Sequence, residues 1–241
     1  MNRRIFVLNG LSLPFLGHLL MGTVNRMDMT STETRPARTV MWRRIADALC
    51  LEQAQFNWIA TGPHIEGMVL TAHDGKPMRV EYRIDCDEDW QTHQVQIHQC
   101  LSGESSRLCL ERDQDGRWLI NGLYDDKLAG CSDVDLGITP STNTLPIRRL
   151  AMRVGTVSEV QAAWVRFPEL SVRPAHQSYE CVSAKQYIYR NRDSGFTAPI
   201  VVDSDGLVRK YGAVWTRVAE GPTAPNFRSF EDALISPAPS A

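Results

Sequence analysis

The chain has 241 residues, 43% of them apolar and 22% charged, the make-up of a globular protein long enough for one large domain or two small ones. A formal net charge of -2 leaves no basic footprint for nucleic acid or for an acidic membrane surface. Six cysteines without a CxxC pair and six histidines without HxH or HExxH spacing supply neither a zinc ribbon nor a redox motif, and the cysteines read as reduced thiols of a cytoplasmic protein.

Residues 1–38 read as an extension. Arg3 and Arg4 precede a loosely apolar run in the manner of a signal peptide, but Asn9, Gly10, Pro14 and His18 interrupt it and no small-x-small cleavage site follows. Export is therefore the alternative to a cytoplasmic location. A domain is expected over 39–220, followed by a Pro, Ala and Ser tail over 221–241. By composition Val40 to Phe56 is ambiguous between helix and strand.

From Ile65 the pattern clears. Ile65 to Ala72 and Met78 to Asp85 alternate about the turn His73-Asp74-Gly75-Lys76-Pro77, which predicts a hairpin with Arg79, Glu81 and Arg83 in water and Val80, Tyr82 and Ile84 inside. Trp90 to His98 repeats the alternation. Leu108 to Arg112 and Trp118 to Asn121 flank Asp113-Gln114-Asp115-Gly116 as a further hairpin. In the second half Tyr187 to Arg190, Thr197 to Val202, Leu207 to Tyr211 and Trp215 to Val218 are strands, with Asp203-Ser204-Asp205-Gly206 as the echoing turn. The match of LERDQDGRW to IVVDSDGLV suggests an internal duplication.

Between the halves lies the passage Leu128 to Leu150, LAGCSDVDLGITPSTNTLPIRRL, where polar chemistry is densest. Asp133 and Asp135 are two apart, so on a strand both carboxylates share one face, opposite Val134 and Leu136. Gly137 and Pro140 end that strand in a bend. Thr142 and Asn143 are placed to cap a helix predicted from about Thr144 to Arg153, with Pro146 in its first turn, Gly155 as its stop, and Ile147, Leu150, Ala151 and Val154 on one buried stripe. Arg148 and Arg149, about 100° apart around it, cannot face one partner alike. The run Val157 to Val172 alternates as a strand crossing back.

At these residues the chain resembles a bacterial family known as "putative glycolipid-binding". The resemblance is carried by GCSDVDLGITPSTNTLPIRRL with AAWVRFPEL after it, and by RVEYRI at Tyr82, DGRW at Asp115 to Trp118, QSYE at Gln177 to Glu180 and IVVDSDGLVRKY at Ile200 to Tyr211. It spans roughly Thr39 to Val218. It implies a mainly β (α+β) spiral β-roll, a many-stranded antiparallel curled sheet wrapped around a single central helix, strands in place of the ambiguous Val40 to Phe56 segment, and commonly a homodimer. No residue role is established for the family, so none is carried over.

Three functions stay open. The first is a lipid or glycolipid carrier without catalysis or cofactor, holding its ligand in an apolar cavity between sheet and helix, with contacts from Asp133, Asp135, Thr142, Asn143, Arg148, Arg149, Tyr82, Trp118 and Tyr179. Trp164, Tyr187 and Tyr189 are further candidates for stacking on a sugar or lining a lipid cavity; the bland reading of such aromatics is core packing. The second is an enzyme on a phosphorylated or glycosylated metabolite, using a divalent metal on Asp133 and Asp135. Against it, DxDxxxT here does not follow a hydrophobic strand, GxSxG and GxxxxGK[ST] are absent, and the bland reading pairs the acids with Arg148 or Arg149. The third is a dimeric scaffold joined through edge strands.

Overall fold

A computed structural model describes residues 36–45 and 50–223. Expectations for residues 1–35 and 224–241 lie outside them. Among the described residues fifteen strands form one curled, unclosed sheet. The first half is a meander of β1 (Arg38–Arg44), β2 (Leu51–Ile59), β3 (Gly62–His73), β4 (Lys76–Cys86), β5 (Thr92–Leu101), β6 (Glu104–Arg112), β7 (Trp118–Ile120) and β8 (Leu123–Tyr124). Then come β9 (Asp133–Leu136), the helix α1 (Thr144–Leu150), β10 (Val157–Arg166), β11 (Ser171–Ser183), β12 (Gln186–Asn191), β13 (Thr197–Val202), β14 (Val208–Tyr211) and β15 (Trp215–Pro222).

In space the order runs from β8 back to β1, then through β15 back to β9, so the first and last strands pair at the sheet's middle while β8 and β9 are its edges. Arg217 fastens this seam. Its side chain is 7% exposed, and its guanidinium donates to the Asp203 carboxylate at 2.8 Å and to the carbonyls of Leu207 and Val208. Arg38 on β1 reaches the same carboxylate at 2.9 Å.

The turns follow from sequence. Asp74 and Gly75 take φ of 50° and 74°, the two left-handed positions of the tightest hairpin turn, which is why Asp-Gly stands there. Ser102 and Gly103 do the same between β5 and β6. The two DxDG turns agree hydrogen bond for hydrogen bond: Asp113 Oδ1 accepts the amides of Asp115 and Arg117, and Asp203 Oδ1 those of Asp205 and Leu207.

Every pairing is antiparallel except that of β9 with β10, where Asp133, Val134, Asp135 and Leu136 lie beside Ala162 to Val165. A parallel pair requires a crossover, and α1 is that crossover. Leu145 and Ile147 are buried and Leu150 packs on the core. The helix is shorter than predicted, stopping at Leu150 with Ala151 left-handed at φ 41°; Val154, assigned to the buried stripe, is 64% exposed, and Gly155 serves a later turn. The cause lies in the sheet: Gly155 N donates to Cys181 O and Cys181 N to Thr156 O, so the ladder takes the chain before another helical turn can form. Nor do Thr142 and Asn143 cap the helix. They lie in a 3₁₀ turn that runs straight into it, with the Thr142 hydroxyl accepting from Leu136 N and the Asn143 amide donating to Pro140 O. The ambiguous Val40 to Phe56 segment holds most of β1 and β2, with residues 46–49 outside the described set.

Candidate functional site

The β9 strand divides its side chains as a strand must. Val134 and Leu136 are 1% and 0% exposed on one face. Asp133 and Asp135 share the other, under α1, yet they meet different fates. Arg149 grips Asp133 with two parallel bonds, Nε to Oδ1 at 3.0 Å and Nη2 to Oδ2 at 2.6 Å, while the Ser132 hydroxyl adds a third at 2.8 Å. Both oxygens of Asp133 are thereby committed. Asp135 remains half-buried and takes the Gln177 amide at 2.6 Å. Burial pushes its carboxyl up to about 6, against the lowering pull of Gln177 and of the Thr142 hydroxyl.

Asp135 stands on the wall of a cleft of about 630 Å³, a volume ordinary for a small-molecule site. The wall is dominated by five aromatic rings, those of Trp164, Tyr189, Phe196, Tyr211 and Trp215. Their placement follows from register: Trp164 lies beside Asp135, Tyr189 is paired with Ala198, and Tyr211 with both Ile200 and Trp215, all on the face turned toward the helix. Tyr189, Phe196 and Tyr211 meet edge to face or tilted, with centroids 5.7 to 6.2 Å apart, so the wall is rigid. Phe196 is 42% exposed at the rim. Burial, with the nearby phenols and the Asp135 carboxylate, pushes the Tyr189 and Tyr211 hydroxyls upward, keeping them neutral donors.

Polar groups are set into this wall. Asn143 has its amide fixed by the Tyr179 hydroxyl, which donates to Oδ1 at 3.0 Å, and by its own bond to Pro140. Gly137 lets the β9 corner approach Trp164, since a Cβ there would lie 2.7 Å from the indole nitrogen. Behind Asp135 and Tyr179 a void of about 10 Å³ has room for one water.

The other candidates are engaged elsewhere. Trp118 is 1% exposed and its indole donates to Cys131 O, joining β7 to the approach to β9. Arg148 lies over the Trp90 ring at 5.2 Å. The hydroxyl end of the Tyr82 ring crosses Gly67, where any Cβ would strike it at 2.2 Å, and its hydroxyl donates to Glu52. Glu52, which the sequence reading passed over, is 1% exposed; Thr139 donates to the same carboxyl oxygen at 2.5 Å and Ser141 completes the cluster through Tyr82. Its other oxygen, Oε2, has no partner among the described residues, and burial pushes the carboxyl up to about 7. Because Thr139 also lines the cleft, this cluster fastens the corner after β9 to β2 and β4.

One arrangement looks catalytic. On the outer face Ser105 Oγ lies 2.7 Å from His98 Nε2, and His98 Nδ1 lies 3.2 Å from Glu81. Ser105 is exposed and the group sits on the solvent side of the sheet, so water is not excluded from it as acyl transfer requires.

A family model described as "Putative glycolipid-binding" matches residues 39–217, and the chain belongs to that family. A DUF1089 family protein of Pseudomonas aeruginosa, known from a crystal structure, is 29% identical, with a TM-score of 0.64 over 69% of this chain and 92% of the other. A β-barrel-like protein of the DUF1849 domain from Brucella abortus aligns at 10% identity and a TM-score of 0.43 over 79% of this chain and 98% of that one. No curated protein matches the chain. Among the described residues no helix is long and apolar enough to cross a membrane.

Proposed function

We propose that the protein binds a glycolipid without transforming it, and that the cleft beside α1 receives the sugar head. The observation that carries this reading is the combination, on one wall, of aromatic faces with Asp135 and Asn143. Aromatic rings offer a flat apolar surface to the C–H face of a pyranose, and a carboxylate with a fixed amide takes its hydroxyls. A cavity meant for an acyl chain alone would gain nothing from a half-buried carboxylate, whose desolvation is a cost. The nine residues picked from sequence contract, in this proposal, to Asp135 and Asn143 as contacts, with Tyr179 and Thr142 orienting them. Asp133, Arg149, Tyr82, Trp118 and Arg148 act as framework.

Extraction of protein purified from its native host, followed by mass spectrometry of the lipids, tests this directly. A co-purifying glycolipid, and loss of octyl glucoside binding in Trp164→Ala, are expected; no lipid and no titratable sugar would overturn it. The metal-enzyme alternative gains no support, because both oxygens of Asp133 are held by Arg149. We further propose a domain over 39–220, working in the cytoplasm, a location its six free thiols support. We also propose a homodimer through the β8 edge, where Leu123 is 74% exposed.

A further inference from the structure

We propose that the ligand head is acidic, and that Arg173 and Arg166 read its oxyanion at the mouth of the cleft while its neutral hydroxyls face Asp135 inside. This rests on the cleft being the sugar site. Arg173 is part of the cleft wall, directly across from Trp164 in the β10 to β11 ladder, and its guanidinium lies 4.5 Å from the indole centroid. Arg166, two residues along the same strand, brings a second guanidinium to 5.7 Å from that ring. Among the described residues neither forms an ion pair with a carboxylate. The acid on the same rim, Asp193, is held by His176, through the ring nitrogen at 3.1 Å and the backbone amide at 2.9 Å, and Arg173 acts on it only through space, by charge.

A guanidinium stacked on an indole loses water from its faces and freedom from its stem, while the in-plane N–H donors stay directed outward. Such a fork is pre-organised for carboxylate or phosphate oxygens. Charge sets the polarity of binding: an anion is repelled from Asp135 within the cleft and attracted to Arg173 in its wall and to Arg166 beside the same indole. The ligand that satisfies both ends is a glycolipid with a carboxylate or phosphate on its sugar.

A matched pair of probes, octyl β-D-glucoside and octyl β-D-glucuronide, titrated by tryptophan fluorescence below micelle-forming concentrations, isolates the charge. The glucuronide is expected to bind the intact protein about tenfold more tightly, with an advantage that shrinks as salt is raised. In the double variant Arg166→Gln, Arg173→Gln the preference is expected to vanish, the glucoside arm reporting that the cleft is still formed. Arg173→Lys, which keeps the charge and loses the fork, should retain only part of the preference. Equal affinity of the intact protein for both probes would overturn the acidic head and leave the sugar cleft standing. A preference that survives in the double variant would overturn the assignment to these arginines. Binding of neither probe would overturn the cleft and this inference together.

Discussion

Glu52 gives the sharpest test of the interior. An acid whose carboxyl is raised from 4.5 to about 7 holds its proton more tightly folded than unfolded. Between those two pH values the native state carries more protons than the unfolded one, so stability falls as pH rises, by about 1.4 kcal/mol per pH unit. The contribution is fully present below about 4.5 and is lost by the time pH passes about 7, a total of about 3 kcal/mol. Glu52→Gln removes the titration while keeping an oxygen to accept from Tyr82 and Thr139. The buried amide brings its own constant offset, because its NH₂ replaces the unpartnered Oε2. What is expected is a change in that offset: from pH 4.5 to pH 8 the variant gains about 3 kcal/mol on the native protein, or roughly 6 to 12 °C in Tm for a domain of this size. Urea denaturation of both proteins across that range measures it, and taking the difference cancels groups common to both. Parallel curves, with an offset constant to within about 1 kcal/mol, would mean that Glu52 is ionised throughout and that the burial reasoning is mistaken.

Four further outcomes follow from the same geometry. Arg149→Met strands the Asp133 carboxylate at 1% exposure and should cost about 3 to 5 kcal/mol, most of it recovered by adding Asp133→Leu; a loss below about 1 kcal/mol in urea titration would contradict the pairing. Gly67→Ala drives a methyl into the Tyr82 ring and should destabilise by more than about 2 kcal/mol, but far less in a Tyr82→Ala background, and additive effects in that cycle would refute the contact. Since the Asp135 carboxyl titrates near 6, neutral-sugar affinity should fall as pH drops through that value in the native protein and stay flat in Asp135→Asn, as calorimetry would show. Leu123→Lys should convert a dimer to a monomer in light scattering, and an unchanged mass would dismiss the β8 edge as the interface.

How much of this the sequence disclosed depends on the range of the interaction that decides each feature. Turns and alternation are local, so the Asp74-Gly75 hairpin, the two DxDG turns and the strand from Thr197 to Val202 could be read directly. The shared face of Asp133 and Asp135 is equally a matter of strand period. The helix end was not legible, because Gly155 and Thr156 are bonded to Cys181, a partner distant in sequence that outweighs local helix preference. Glu52 was hidden for a related reason: Ala54 and Phe56 share its face, so its parity places it inside, but Val40 to Phe56 was ambiguous between helix and strand and parity has no meaning until that is settled. The cleft is the most distant case. Trp164, Tyr189, Tyr211 and Trp215 become neighbours only through the registers of β9 to β15, and each alone reads as a core aromatic. What distinguishes this wall is Asp135, which forms no ion pair among the described residues, whereas the acid two residues earlier is fully paired. Two carboxylates of identical local spelling thus part company because α1 places Arg149 over one of them, and a helix of seven residues decides which aspartate is framework and which is the one proposed here to meet a ligand.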